Sequence, residues 1–199
     1  MKPKGPVFDA EWRRNSELRP VPLCEVAAFV SAHYLKKRPA IVLLSLGVFS
    51  FGRLVGMVLF SAPPKQSDVR YGGKTWELAR LYLLDSIPAN AETWAISGSV
   101  RHIRKNYPDV RCLVSYADPS AGHAGTIYRA ANWESDGRTD EGRKTPRHDY
   151  ADARTGKKYG RRGNVPAGAE LVRIPRVSKF RFKLVLHPVK LRTCAATSR

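Results

Sequence analysis

Cysteine is scarce and widely scattered. Cys24, Cys112 and Cys194 form no CxxC pair and no Cys/His zinc spacing, so neither a disulfide framework nor a structural zinc finger is expected. Long apolar runs are also missing. The longest, Ala40 to Gly47, falls well short of the roughly 20 residues that cross a bilayer, and the amino terminus lacks the apolar core of a signal peptide. A soluble protein of a reducing cytoplasm is the expectation, with no membrane partner. Acids are the third scarcity, with 17 Asp and Glu against 35 Lys and Arg, which leaves a net charge of +18. A chain this basic is expected to meet polyanions. The excess is uneven: residues 41–133 carry +4, whereas the much shorter stretch 166–199 carries +7.

With 199 residues, 43% of them hydrophobic, the chain can build one domain with a substantial core. Residues 1–19 are polar and irregular and read as an extended basic arm. Pro22 then opens a helical pattern through Val26, Phe29, Val30 and His33, closed by Lys36 to Pro39. Taken alone, His33 reads as an exposed residue of the last turn that favours the helix dipole. Ile41 to Phe49 and Leu54 to Phe60 form a hairpin around Ser50 to Arg53, and 65–74 reads as a loop. Thr75 to Leu83 alternates as a strand. In a regular strand Glu77 and Arg80, an odd number apart, point to opposite faces, and a bulge or the strand's end would bring them to one side. An amphipathic helix from Asn90 to Asn106 follows, with Asn90 as its expected N-cap.

The chain is organised around VRCLVSYADPSAGHAGTIYRAANW, residues 110–133, a strand, a tight turn and a helix. Ser115, Tyr116, Asp118, Ser120, His123 and Tyr128 crowd this turn, at the strand end where α/β folds place ligands. The plainer alternative is that Asp118 and Ser120 cap the helix and Tyr128 packs in the core. Strand, helix, strand, helix over 75–133 predicts an α/β (α+β) fold, a mixed central sheet flanked by helices.

The order of elements resembles the acetyltransferase fold of the GNAT superfamily. Within it, His33-Tyr34, Phe60-Ser61-Ala62-Pro63-Pro64, Trp76 to Leu81, Ser115 to Asp118, Gly122 to Tyr128 and Asn132-Trp133 resemble the Mom family of phage DNA-modification proteins. The resemblance covers roughly residues 20–133 and continues loosely into a strand near Phe180 to Leu186. It implies an enzyme that converts adenine in double-stranded DNA to N6-(carbamoylmethyl)adenine, hiding restriction sites from host nucleases in the host cytoplasm. Such chemistry needs a pocket for an extruded base. Tyr34, Tyr116, Tyr128 and Trp133 are candidates to stack on it, and Asp118 or Ser115 to accept the amine proton. Arg80 would bind a carboxylate or an acyl oxygen, unless it is tied in a structural ion pair, and His33 with Tyr34 would complete the pocket. Asp118 would serve as a base only if burial raised its pKa.

The turn before the long helix, Asp85 to Glu92, has no glycine and carries two acids, which argues against acetyl-CoA as donor. The cofactor stays unassigned; a small-molecule donor carrying a two-carbon amide or its precursor would serve. His33, Asp118 and His123 are weak candidates for a metal such as iron. Residues 134–165 read as a flexible basic insert within a single domain of residues 20–186, and 187–199 as a basic tail. Arg154, Lys157, Lys158, Arg161 and Arg162 of the insert, with Lys179, Arg181 and Lys183 of the last strand, are the expected phosphate contacts. A homodimer stays open. Two other functions do too: a conventional N-acyltransferase acting on RNA or protein, and a non-catalytic nucleic-acid-binding protein.

Overall fold

The computed structural model describes residues 8–145, 147–159 and 165–186. Its elements in chain order are α1 (Ala10–Arg14), β1 (Ser16–Pro20), α2 (Ala27–Ala32), β2 (Val42–Ser50), β3 (Arg53–Ser61), α3 (Lys65–Arg70), β4 (Thr75–Leu83), α4 (Ala91–Asn106), β5 (Cys112–Ala117), α5 (Thr126–Ala130), β6 (Glu134–Arg138), β7 (His148–Asp152), β8 (Lys158–Tyr159), β9 (Leu171–Pro175) and β10 (Phe180–Val185). Seven strands form the main sheet in the order β1-β2-β3-β4-β5-β10-β6, and β8-β7-β9 form a small second sheet. Every pairing in the main sheet is antiparallel except β4 with β5. That parallel pair needs a crossover, and α4 supplies it.

Local chemistry explains the main elements. Phe51 and Gly52 at the β2–β3 turn both have positive φ, 49° and 75°, the conformation of a two-residue turn whose twist matches the flanking strands. In α4 the positions Ala91, Ala95, Ile96, Val100 and Ile103 recur every three or four residues and are buried against the sheet. Ile96 and Ile103 are fully buried, each stabilising the packed state by roughly 1.5–3 kcal/mol. The larger core, from Leu46 and Phe60 through Leu113 to Phe182, lies on the α4 and α5 side. A smaller one, Val26, Val30, Phe49, Met57 and Leu59, lies under α2.

Four expectations are corrected. Residues 9–20 are not an extended arm: Asp9 caps α1 by accepting the Trp12 N–H at 2.8 Å, Trp12 is buried edge-on against Trp94, and β1 pairs with β2. Residues 65–70, expected as loop, are helical, and Asp68 ties that helix to β4 by accepting the Thr75 N–H. The insert carries β6, β7 and β8 instead of being structureless, with Asp152 accepting the Arg154 and Thr155 N–H groups at the β7–β8 turn. Asn90 precedes α4 with φ of +75° and makes no side-chain cap. Gly160 to Asn164 and the tail 187–199 lie outside the described residues, as do the expected phosphate contacts Arg161 and Arg162.

Candidate active site

The parallel β4–β5 ladder is short. It runs only from Thr75↔Cys112 to Glu77↔Val114, after which the strands part. In the same place β4 carries a bulge: Phe60 pairs with Leu78 and Leu59 with Arg80, leaving Ala79 as an extra residue. The extra residue changes the parity of the strand, so Glu77 and Arg80 come to one face and both line one cavity. That cavity has a volume of about 1040 Å³, at the upper end of ligand sites.

One end of the cavity is aromatic. The ring of Tyr34 stands 4.5 Å from His33 and 5.0 Å from His123, centroid to centroid. His33 is buried, contrary to the exposed position expected for it, and its Nδ1 accepts the Leu35 N–H. Burial first, then Arg80 and His123, lower its pKa to about 4, so it is a neutral wall near neutral pH. Tyr116 enters from β5 with its hydroxyl 2.9 Å from Ser67 of α3.

Tyr128 reaches the gap from α5. Its hydroxyl is 2.8 Å from Ser115 Oγ, which is 2.8 Å from the Leu78 carbonyl oxygen. A carbonyl only accepts, so when Ser115 gives its one proton to Leu78, Tyr128 gives its own to Ser115. Burial pushes the Tyr128 phenol up to about 12, which keeps that donor protonated. Ser115 is thus a buried strut behind Tyr128 rather than a cavity group, and Trp133, expected to stack on a base, is core packing beside Tyr128.

Two carboxyls are driven in opposite directions. Burial pushes Glu77 upward, against the opposing pull of Arg80 and Lys179, and no hydrogen bond or ion pair holds it among the described residues. Asp118 behaves otherwise. Burial alone would raise it, but the hydrogen bonds from Ser120 and Lys179 win and hold it below the usual carboxylate range. Its Oδ1 takes the Ser120 N–H and hydroxyl, and its Oδ2 lies 3.0 Å from Lys179 Nζ. The raised pKa required of Asp118 as a base is absent, and the capping alternative describes it. Glu77 is the residue that sequence reasoning left out of the site; its only signal was the odd spacing from Arg80.

Arg80 is not consumed by an ion pair. Its Nε donates to the Lys37 carbonyl at 3.0 Å and one terminal nitrogen to the Ala79 carbonyl at 2.6 Å, which fixes the guanidinium at the cavity wall. His33, Asp118 and His123 do not assemble around a metal: no group of three His, Cys, Asp or Glu side chains suited to one occurs among the described residues. Of the expected phosphate contacts, Arg154, Lys157 and Lys158 are exposed on the small sheet and Lys179 lines the cavity. Arg181 corrects the expectation: it is buried and its guanidinium is spent on the Asp136 carboxylate and carbonyl. Lys183 lies 3.5 Å from Glu134 and 3.7 Å from Asp136.

The lowered pKa of His33 has a measurable sign. Between pH 6.5 and about 4 the unfolded chain binds more protons than the folded one, so the His33 contribution is complete above pH 6.5 and is lost as pH falls toward 4. The melting temperature should drop across that window. A His33→Asn variant, whose amide oxygen can still take the Leu35 N–H, should show a flatter profile; an equally steep one would refute the burial account.

Several solved acetyltransferases are similar to this chain in fold. An acetyltransferase from Bacillus subtilis, in complex with CoA, matches with a TM-score of 0.52 at 10% identity, over 86% of this chain and 97% of that one. A ribosomal-protein-S5-alanine acetyltransferase from Vibrio fischeri gives 0.53 at 8%, over 86% and 93%, and a spermidine N-acetyltransferase from Vibrio cholerae 0.52 at 7%, over 87% and 96%. At such identities the likeness establishes the fold, the GNAT acetyltransferase fold expected above. The methylcarbamoylase mom of Escherichia phage Mu is 37% identical over 108 residues, 51% of this chain and 45% of that protein, so the match spans about half the length of this curated relative. The profile of the Mom protein family matches residues 17–194, and the chain belongs to that family.

Proposed function

We propose that this chain is a transferase that modifies the N6 of adenine in double-stranded DNA to N6-(carbamoylmethyl)adenine, protecting phage DNA from host restriction. The observation that carries this reading is the cavity at the parting of β4 and β5, where an aromatic wall faces an unpaired, pKa-raised Glu77. The name of the Mu relative and family membership point to the same reaction. Duplex DNA and a small-molecule donor are the partners it requires, and the host cytoplasm is where it would act. Among the described residues no helix is long and apolar enough to cross a membrane.

An amine buried in a base pair cannot react in place, so the adenine is taken out of the stack and held by Tyr34 and Tyr116. As N6 attacks the donor, the N6–carbon bond forms and the bond from that carbon to the leaving group breaks. The leaving group keeps the bonding pair, and the N6 proton passes to a Glu77 carboxylate oxygen. Arg80 faces the donor's polar end, where its fixed guanidinium offsets negative charge without reorganising. Tyr128, anchored through Ser115, closes the gap behind the reacting groups.

The residues present do not fit the pyrophosphate of CoA, the ligand of the Bacillus subtilis acetyltransferase. No glycine occurs between β4 and α4, Asp85 and Glu92 flank the helix start, and the Ile87 and Ala91 N–H groups already donate to Leu84 and Pro88. That misfit argues against a conventional CoA-dependent acyltransferase.

Mass spectrometry of nucleosides from cells expressing the protein tests the proposal directly. A deoxyadenosine heavier by a carbamoylmethyl group is expected. Unmodified deoxyadenosine alone, with the protein soluble and folded, would favour a non-catalytic nucleic-acid-binding role.

A further inference from the structure

Part of the lining of the same cavity is cationic, and the insert supplies two of its residues. Arg143 and Arg147, which precede β7, line it together with Arg70, Lys179 and Arg181. Five cations here meet three carboxylates. Asp136 takes Arg181 and Arg70, at 2.7 and 3.3 Å, and Asp118 takes Lys179. Arg147 Nε lies 2.9 Å from Asp140 Oδ1, an ion pair that engages one edge of the guanidinium, and among the described residues its terminal N–H groups have no hydrogen-bond partner. Arg143 has no ion pair among the described residues. Two guanidiniums with unspent donors therefore face one space.

We propose that this cationic lining, with Arg143 and Arg147 as the donors and Lys179 adding charge, is a subsite for a phosphate group. The proposal deepens the function inferred above and rests on that reading for the nature of the substrate. Charge decides the ligand class: a site with cations in excess, most of them planar forks, suits a group with several acceptor oxygens and more than one negative charge. Continuity with the chemistry is supplied by Lys179, which pairs with Asp118 and also acts electrostatically on Glu77 and Tyr34. A phosphate held there is joined through one space to whatever occupies the aromatic end. It also places an anion site where the glycine-free β4–α4 turn offers none. Two molecules could bring that phosphate, the DNA strand beside the extruded base or the donor.

The test uses the full chain, the double variant Arg143→Ala/Arg147→Ala, and a control, Arg104→Ala/Lys105→Ala, which removes equal charge from the exposed side of α4. Two binding readouts are taken on each protein: affinity for an adenine-containing duplex across a salt series, and inorganic pyrophosphate by calorimetry without DNA. If the phosphate belongs to DNA, the slope of log K against log salt shrinks by about 0.9 for each phosphate that is no longer neutralised, and the control changes it less. If it belongs to the donor, the DNA slope stays parental while the variant loses the pyrophosphate binding that parent and control retain. Parental behaviour of the double variant in both readouts, or equal losses in the control, overturns the subsite. Neither readout uses modification, so a failed nucleoside assay would sink the proposed reaction and leave this result standing. Melting curves exclude misfolding of the variants, whose altered residues are exposed.

Discussion

Glu77→Gln is expected to lower adenine modification by about 10²- to 10⁴-fold, the scale of positioned proton transfer, with DNA affinity and melting temperature near those of the parent. Glutamine keeps the shape of the side chain and removes its ability to take a proton. Because Glu77 has no partner to lose among the described residues, stability has no reason to fall. Asp118→Asn should give the opposite result. Asparagine still accepts the Ser120 N–H, and the Lys179 pair that it gives up is partly solvated, so its loss costs on the order of 0–1 kcal/mol and leaves the reaction largely intact. When two carboxyls are driven apart in pKa, the one kept from ionising easily is the better proton acceptor at neutral pH. The pH profile carries the same message: activity should rise as Glu77 ionises, through a pKa above the ordinary glutamate value of 4.5. Full modification by a folded Glu77→Gln protein would remove that residue from the reaction.

A second large effect is expected at Gly125, the residue before α5. Its φ is +76°, and a Cβ there would run into the ring of Phe182, which is itself fully buried. Gly125→Ala combines a left-handed backbone penalty with overpacking, together about 3 kcal/mol, or a melting temperature lower by roughly 10 °C for a chain of this size. Gly122 has the same φ but open space where a Cβ would go. Gly122→Ala should therefore cost only the backbone part, about 1–2 kcal/mol. Equal melting temperatures for the two variants would show that the approach of Phe182 does not matter. The collision would also be felt at the site, since the Phe182 and Tyr128 rings are 5.2 Å apart and Tyr128 must keep its hold on Ser115.

The parts of the fold that were legible in the sequence are those with a long uninterrupted apolar run or a regular apolar stripe. The β2–β3 hairpin and β5 stand out as apolar runs buried on both faces, α4 by its helical spacing, and the Phe51-Gly52 turn by its glycine. The polar cluster around 115–128 was legible as a location but not as a set of roles. Whether Asp118 faces a cavity or a lysine depends on β10, more than 60 residues away in the chain. The insert was misjudged because β6 and β7 are five-residue strands whose charged residues are half-buried through partners such as Arg181 and Arg176, so no apolar alternation marks them. The first helix was missed because a single tryptophan, Trp12, does its packing. Glu77 stayed hidden for a different reason: an alternating pattern assumes regular pairing, and the irregularity lies in the pairing with β3, which the local sequence does not display.

That irregularity makes residue number part of the site. Along β4 the chain between Glu77 and Arg80 is one residue longer than the strand opposite it, and this surplus alone sets which side the two charges share. A substitution at Ala79 alters a side chain. An extra residue in β3 between Leu59 and Phe60 would instead give Ala79 a partner, restore plain alternation and separate the acid from the guanidinium across the thickness of the sheet. Both charged residues would still be present in the sequence. Variation in these two strands is thus constrained in relative length before it is constrained in composition.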